Sequence, residues 1–576
     1  MSLLSCKDGP NPLSQKEFEP SMFRAYGPGP SLWETVLPVQ ALVMPEELSR
    51  VDKLLDDPAL FEPFRPYFHP SLGRRSVPME TFLRLVYLKY RYGLGYERLC
   101  REVVDSVSWC RFCRVPLGGV VPDHSTLKKI AKRCGPEAIE ALNRALLEKA
   151  ANNRVLKTNR LRADTTVVPA DVGYPTDSGL LARGVVRLSA LVATLHVLGL
   201  ATRTKLRDRS RSMRRRAHGI GAWLRRRTDT AKEEVTAITA EMADIADASL
   251  AEAKKVAENA RRGLRRAGEQ ASGKARAKLA ELETLVSRLD QVVAQARSRL
   301  SGEMPEGATR LVSLHDPDAR PIKKGRIGKP VEFGYLAQVL DNEDGVVVDH
   351  SEHVGNPADG PLLAPALGRV KAVASRAPGA VTADRGYGDA KVDADLTALG
   401  VKFVAIVRKG RQSVARRAAE RKPRFRKLIK WRTGSEGRIS ALKRGYGWSR
   451  SLMDGLDGTR VWCGYGVFAH NSQKISSLLA HKDQQPPADA ALPVSQGGPW
   501  RGRRPWAKMV PGRALPERQY HPRGPFVVGA EGACPPGRFH QALYNGDAGF
   551  PVRKRPHAGA SPPPRSQPPP VLPIPA

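Results

Sequence analysis

The sequence is poor in acidic residues, in cysteine and in long apolar runs. Of its 576 residues, 58 are Asp or Glu against 94 Lys or Arg, and seven are Cys. Thiols scattered at this frequency do not make a disulfide framework, so we expect reduced cysteines. The longest apolar stretch, residues 189–201, is too short to span a bilayer, and the N-terminus lacks the regions of a signal peptide. We therefore expect no membrane partner and a cytoplasmic protein.

What the chain has in excess is positive charge, with a formal net charge of +36 and a pI near 10.2. Such an excess repels itself unless a polyanion binds to it. With membranes set aside, nucleic acid is the partner that this charge favours. The length predicts two or three domains.

Residues 40–154 have the periodicity of a helical domain. Apolar and aromatic side chains recur there at helical spacing: Phe82, Leu85, Val86, Leu88 and Tyr92. Asp123 or Ser125 is placed to cap a basic helix that follows. This order is typical of a helix-turn-helix DNA reader, and an ordinary helical core fits it at least as well. The preceding segment, 1–39, is expected to be flexible.

The pattern changes at residue 155 to β-branched runs with helical stretches between some of them. The first strand is predicted around Asp164. Further strands are predicted at 310–316, 331–341, 344–353, 379–388 and 401–410. Together they predict an α/β domain with a mixed sheet and flanking helices, formed by residues 155–179 and 306–475.

A helical insertion, residues 180–305, divides this domain. In its stretch 203–227, eleven of 25 residues are basic and one is acidic, which favours a phosphate-contact surface that includes Arg214, Arg215 and Arg216. Apolar residues at 3-4-3 spacing follow: Val235, Ile238, Met242, Ile245, Leu282, Leu285, Leu289 and Val292. They predict a helical hairpin, with one long helix as the alternative.

Three carboxylates stand out as candidates for chemistry. Asp164 and Asp384 follow strand-like runs, and Glu436 opens a predicted helix. Two aspartates from strands and a glutamate from a helix offer the oxygen ligands that two Mg²⁺ (or Mn²⁺) ions prefer. Two such ions activate an attacking hydroxyl and stabilise a leaving 3′ oxygen, which is phosphodiester chemistry.

The cations around Glu436 indicate what lies beside this site. Arg432 is four residues before Glu436 and Lys443 seven after it, which places them on one helix face if the helix is continuous. We expect these two residues, together with Arg438, to contact DNA phosphates. A glycine at 434 is expected to break the helix before Ser435 caps it.

Other polar residues nearby are expected to have structural roles. Five aspartates are interpreted as turn or cap residues: Asp171, Asp177, Asp316, Asp318 and Asp389. His350 and His353 are interpreted as a polar loop end rather than a metal site. The cysteines at 110 and 113 lack a second pair for zinc, so they are expected to be core thiols.

These motifs resemble those of bacterial insertion-sequence DDE transposases. The spacing of Arg432, Glu436 and Lys443 is similar to the Arg-x3-Glu-x6-Lys signature of that family, although Ile429 stands where the signature has Tyr. RADTTV and TADRGYGD resemble its two aspartate motifs, and the resemblance spans about residues 40–475. It implies an RNase H-like core in which Asp164, Asp384 and Glu436 hold the metal ions.

The resemblance also implies an activity and partners. The protein would cut DNA at terminal inverted repeats and join the ends to target DNA, as a homodimer or larger assembly in the nucleoid. The alternatives are a nuclease of the same fold without strand transfer and an inactive, transposase-derived DNA-binding protein. Residues 476–576 hold 21 of the 47 prolines and no family-like pattern. We expect a disordered tail there, and hypothesise that it arose by frameshift or read-through.

Overall fold

The computed structural model describes residues 22–27, 36–116, 118–226, 228–270, 272–326 and 329–484. Most of the predicted tail lies outside these residues. Its first part does not, because a helix of the described residues runs on to Asp483 and buries Ser476. The predicted tail boundary at 476 is therefore wrong.

The N-terminal region is helical, as predicted. Its helices are α1 (Glu46–Leu55), α2 (Met79–Arg91), α3 (Tyr96–Val104), α4 (Val107–Phe112) and α5 (His124–Asn152). Short 3-10 turns occur at Val39–Leu42, Pro58–Leu60 and Glu62–Tyr67. Asp123 caps α5 by accepting a hydrogen bond from the backbone N–H of Ser125 at 2.8 Å. Gly135, with φ at 69°, kinks α5 just before Pro136.

Part of the segment predicted to be flexible is held against these helices. Phe23 is buried and packs against Phe68, with ring centroids 5.7 Å apart. The backbone of Met22 bonds with Ser76, and the N–H of Met79 donates to Arg24 at 2.8 Å. Residues 22–27 are thus an ordered part of the helical region.

The sheet is mixed, as predicted. Its strands are β1 (Arg160–Pro169), β2 (Arg320–Arg326), β3 (Lys329–Asn342), β4 (Val347–Val354), β5 (Ala380–Ala383) and β6 (Phe403–Ile406). The order is β2-β3-β1-β5-β6, and β4 also pairs with β3. Strands β1, β2 and β4 run antiparallel to β3, whereas β5 is parallel to both β1 and β6.

Residues 310–316 do not form the predicted strand. The side chain of Gln295 bonds both the N–H and the C=O of Leu311, at 2.7 and 3.2 Å. Because these backbone groups are satisfied by a side chain, they need no neighbouring strand. The Leu311 side chain packs into the core of the insertion instead.

In its described residues, the insertion is a four-helix unit with its own apolar core. Its helices are α6 (Asp177–Val197), α7 (Ser210–Leu224), α8 (Asp229–Ala267) and α9 (Gly273–Leu300). Ion pairs Lys254–Asp290 and Arg261–Glu283 show that α8 and α9 run antiparallel. The predicted hairpin is confirmed, and the alternative of one long helix is excluded.

One of these helices changes the expectation about membrane-spanning segments. By length and composition α6 is sufficient to cross a membrane, so the prediction that no stretch approaches a span is wrong on those criteria. The helix extends further toward the N-terminus than the apolar run 189–201 suggested. Its apolar side chains, among them Leu188 and Leu195, pack against the other helices of the insertion.

Helices cover both faces of the sheet. They are α10 (Gly360–Ala374), α11 (Ala390–Ala398), α12 (Val414–Arg421), α13 (Pro423–Arg432), α14 (Gly434–Gly445) and α15 (Gly455–Asp483). Helices α10 and α11 share a core with Leu161 and Leu340 on one face. Helix α15 packs between the other face and helices α1, α2 and α5, so the helical region and the sheet share one large core.

Candidate active site

Two of the predicted catalytic residues, Asp164 and Asp384, lie side by side on neighbouring strands. β1 and β5 are parallel and Ala163 pairs with Ala383, so each aspartate directly follows this pair. Side chains at matching positions of paired strands point to the same face of the sheet. The two carboxylates therefore share the face that α13 and α14 cover.

Asp164 is largely buried and has two hydrogen-bond donors. The hydroxyl of Ser435 donates to its Oδ2 at 2.9 Å, and the N–H of Thr165 to its Oδ1 at 2.8 Å. Burial raises the pKa of Asp164, and the charge of Asp384 raises it further. The two hydrogen bonds and the charge of Arg432 oppose this shift, but the pKa stays above its ordinary value.

Asp384 is held at the end of β5 by a tight turn. Its carboxylate accepts a hydrogen bond from the N–H of Gly386 and caps the 3-10 turn Arg385–Tyr387. A Cβ on Gly386 would lie 2.6 Å from Asp384 Oδ1 and 2.7 Å from Asp359 Oδ2, so any side chain here would displace these two carboxylates. Asp359 is thus a further acid beside the site, and no sequence motif had pointed to it.

Tyr387 and Gln338 lie beneath this group of acids. The amide nitrogen of Gln338 donates to the Tyr387 hydroxyl at 3.0 Å, and both side chains are fully buried. Burial raises the pKa of Tyr387, and the charges of three carboxylates, Asp359, Asp164 and Asp384, add to the shift. The tyrosine therefore stays protonated below the acids.

The third predicted residue, Glu436, lies next to the site rather than in its interior. It is exposed in the first turn of α14, and its carboxylate makes no hydrogen bond or ion pair within the described residues. The preceding residue, Ser435, is buried against Asp164. The prediction that Ser435 caps the helix is wrong. Its side chain instead forms a direct link between α14 and β1.

A buried charge network fixes α14 on the sheet. Asp341 on β3 accepts hydrogen bonds from Arg162 at 2.7 and 2.9 Å and from Arg438 at 3.3 Å. Arg438 also bonds His470 at 2.8 Å, and burial lowers the pKa of His470 to about 3, so this imidazole is neutral. The side chain of Arg438 is 14% exposed and points inward, which argues against the predicted DNA contact.

Arg162 also explains the glycine in the opening of α14. A Cβ on Gly434 would lie 2.1 Å from Arg162 Nη1, so the guanidinium packs directly on this backbone. Thr433, between α13 and α14, keeps helical dihedral angles, with φ at −54° and ψ at −22°. The expected break at Gly434 is therefore slight. Arg432 is partly exposed at the end of α13, and its charge acts on Asp164.

The predicted arginine surface of the insertion is only partly available to a ligand. Arg214 and Arg215 are exposed on α7. Arg216 is paired with Glu241 of α8 at 2.8 Å, and Arg209 with Glu252 at 2.6 Å. The acids that pair these arginines lie outside the basic stretch, which is why composition within the stretch did not reveal them.

The aspartates predicted to be structural occupy such positions. Asp389 caps α11 through the N–H of Lys391, and Asp316 and Asp318 accept backbone N–H groups at the start of α15. Asp177 pairs with Arg299 at 2.6 Å, and Asp171 with Arg450 at 3.2 Å. None of these five acids lies beside Asp164.

The histidines and cysteines also have structural roles. His350 and His353 lie within β4, not in a loop, and His350 pairs with Glu352 at 3.0 Å. Cys110 and Cys113 are buried free thiols, as expected.

The carboxylate pair suits a divalent cation, although the full predicted ligand set is not assembled. Among the described residues, no group of three His, Cys, Asp or Glu side chains is close enough to hold a metal. Asp164 and Asp384 nevertheless place two hard oxygen donors side by side, and in the described part of the chain neither has an ion-pair partner. A cation would offset both the burial and the repulsion from Asp384 that raise the pKa of Asp164.

Two family models match parts of the chain. Residues 39–133 match a model described as Transposase domain (DUF772), and residues 311–472 match one described as Transposase DDE domain. Asp384 and Glu436 lie inside the second match. Asp164 and the insertion lie between the two.

One curated protein is similar over a short region. It is named Uncharacterized protein ORF8 in nfe locus, comes from Rhizobium meliloti, and is 31% identical over 129 residues. The similarity covers 21% of this chain and 59% of that protein, so the chain spans under two thirds of its relative's length. No solved structure matches the chain.

Proposed function

On the premise that this chain is an insertion-sequence DDE transposase, which its two matched domains support, we propose that it cuts DNA at the ends of such an element. The freed 3′-hydroxyls then attack target DNA in a strand-transfer step. Joining two ends requires at least two protomers, so the active form is a homodimer or larger assembly on DNA. The +36 charge supports binding to DNA and residence in the nucleoid.

The sheet topology supports an RNase H-like core. Three antiparallel strands, β4, β3 and β1, are followed by two parallel ones, β5 and β6. The first strand of the core carries Asp164, and Asp384 directly follows β5, the first parallel strand. This is the arrangement that the resemblance implies for a DDE catalytic core.

We assign the chemistry to Asp164, Asp384 and Glu436. The adjacency of Asp164 and Asp384 carries this proposal, and the bond from Ser435 to Asp164 brings the Glu436 helix to the same place. DDE transposases generally use divalent metals, and two Mg²⁺ or Mn²⁺ ions would supply an activated hydroxyl and a stabilised leaving oxygen.

The remaining residues of the site position and balance these acids. Ser435 orients Asp164, and Gly386 orients Asp384 through its backbone N–H. Arg432 and Lys443 are proposed phosphate contacts along α13 and α14, and Arg214 and Arg215 are proposed contacts on the insertion. Arg438 and Arg216 are left out because each is paired with groups of the protein itself.

Incubation of the purified protein with Mg²⁺ and DNA carrying the element ends tests the function. Cleavage with joining supports the transposase. Cleavage alone would mean a nuclease of the same fold, and binding alone an inactive descendant. Asp164→Ala, Asp384→Ala and Glu436→Ala are each expected to abolish cleavage and to retain DNA binding.

Asp389→Ala is the matched control for these substitutions. Asp389 lies five residues after Asp384 and caps α11, so its loss is expected to cost about 1 kcal/mol of stability and no catalysis. If Asp164→Ala or Glu436→Ala cleaved at the wild-type rate, the site assignment would be wrong.

A further inference from the structure

A deep cleft lies between the N-terminal helices and the end of α14. It has a volume of about 950 Å³. Its walls come from α2, α3 and α5 on one side, and from α14, α15 and the loop between them on the other. Apart from Gly135 and Pro136, the residues of the two walls lie in the two separately matched regions, 39–133 and 311–472.

The floor of this cleft contains a buried lysine without an acidic partner. Lys89 on α2 is 4% exposed. Its ammonium lies 4.0 Å from the ring centroid of Tyr90, 4.1 Å from that of Trp462 and 4.8 Å from that of Tyr96. Among the described residues, no carboxylate or other hydrogen-bond acceptor contacts this ammonium. Burial lowers the pKa of Lys89 to about 7.

Aromatic rings stabilise an ammonium only in part. Their faces attract the cation, but they accept no strong hydrogen bonds from its three N–H groups. A buried charge in this state gains from an anion that reaches it through the cleft. Lys89 therefore points to an anionic ligand.

The rim of the cleft favours the same ligand charge. Six lining side chains are cationic and two are acidic. Lys128 and Lys132 are exposed one turn apart on α5, and Arg444 is exposed at the end of α14. Of the two acids, Asp457 is already paired with Arg460 at 3.5 Å.

We propose that this cleft binds a phosphate group of a DNA strand that continues from the Asp164–Asp384 site, with Lys89 as its buried ligand. The inference rests on the proposed function for the identity of the anion. Helix α14 connects the two places, because Ser435 contacts Asp164 at its start and Lys443 lines the cleft near its end. Eight residues of helix cover about 12 Å, which is within reach of a few nucleotides of one strand.

Lys89→Met in the full-length chain tests this role. Methionine keeps the length of the side chain and removes the charge. We expect about tenfold weaker binding of a labelled single-stranded oligonucleotide, as for loss of one charged hydrogen bond. The slope of log K against log salt should fall by about 0.7. Binding is measured by anisotropy in EDTA, so it does not depend on cleavage.

The melting temperature separates ligand binding from a purely structural role. Because Lys89→Met removes an unpaired buried charge, its melting temperature should equal or exceed that of the wild type. Lys129→Met is the control, since Lys129 is on α5 next to Lys128 but does not line the cleft. Unchanged DNA binding by Lys89→Met at a wild-type melting temperature would overturn the proposal.

A second variant decides the matter if Lys89→Met unfolds. The double substitution Lys128→Ala and Lys132→Ala changes only exposed side chains on the same cleft. Weaker DNA binding by this variant supports the cleft, and wild-type binding refutes it.

Titration with inorganic phosphate tests whether the anion belongs to DNA. If phosphate binding is saturable and depends on Lys89, but Lys89→Met does not change DNA binding, the assignment to DNA is refuted. If Lys89→Met weakens DNA binding but the wild-type protein never joins DNA ends, the result would count against the proposed function and not against the cleft.

Discussion

At the scale of single residues, the site depends on one carboxylate that is both partly buried and close to another. Asp164 is kept in place by Ser435 and Thr165 but repelled by Asp384. A folded-state pKa above the unfolded value means that the folded protein holds this proton more tightly. The stability contributed by Asp164 is therefore lost as pH rises above its ordinary pKa of 3.8.

Asp164→Asn is expected to stabilise the protein at pH 7 in EDTA, because it removes this buried negative charge. The gain should shrink as the pH is lowered through 3.8, because below this value the aspartate is protonated in both states. Thermal unfolding at pH 5 and pH 7 measures this difference. Added Mg²⁺ should raise the melting temperature of the wild type and not that of Asp164→Asn. A lower melting temperature for Asp164→Asn at pH 7 would contradict a folded-state pKa of Asp164 above its ordinary value.

At the scale of elements, helix α14 completes the candidate site, because it brings Ser435 and Glu436 next to the strand pair of β1 and β5. Its contacts with β1 and β3 run through the buried group of Arg162, Asp341 and Arg438. Glu436 and Lys443, both on α14, depend on this attachment for their position. The network has a structural role, and it affects function because it sets the positions of Glu436 and Lys443.

Asp341→Asn is expected to lower the free energy of unfolding by about 3–5 kcal/mol, because it leaves two buried guanidinium groups without a charged partner. Urea denaturation measures this loss. Asp290→Asn breaks the exposed pair with Lys254 on the insertion and should cost less than about 1 kcal/mol. Similar losses for the two variants would mean that the buried network does not hold α14.

Helix α7 offers a second test at this scale, since two adjacent arginines on it differ in their partners and in their exposure. Arg215→Ala should weaken binding to duplex DNA and reduce the salt slope of log K by about 0.9, as for one lost phosphate contact. Arg216→Ala removes a pair with Glu241 and should leave that slope unchanged. Equal slopes for Arg215→Ala and the wild type would exclude α7 from the DNA interface.

At the scale of the whole molecule, the predicted domain boundary at 154 and 155 does not separate two cores. Tyr465 and Phe468 of α15 pack with residues of the N-terminal helices, among them Phe82. The insertion is different, because its helices bury their apolar faces mainly against one another.

We therefore expect that a fragment of residues 36–156 does not unfold cooperatively, whereas residues 36–484 do. The fragment lacks α15 and so exposes the apolar surface that this helix covers. Circular dichroism during heating distinguishes a sigmoidal transition from a gradual one. A sharp transition in the short fragment would show that the helical region is an independent domain.

The sequence by itself determined the types and order of most elements, and the two strands that carry Asp164 and Asp384. These features depend on the local spacing of apolar residues, on turn residues and on caps such as Asp123. Such signals follow from backbone geometry, so they can be recognised in a short stretch of sequence without its tertiary contacts. The strand predicted at 310–316 failed because Gln295, outside that stretch, satisfied its backbone.

Only the tertiary structure decided which charged side chains are available for function. Arg162 and Asp341 are 179 positions apart, and Ser435 and Asp164 are 271 apart, so no local pattern reveals either contact. For the same reason, no local pattern revealed that Arg438 and Arg216 pair with groups of the protein itself, or that Lys89 is a buried cation. A charge is stabilised by whatever the fold brings next to it, and that neighbour comes from a distant part of the chain.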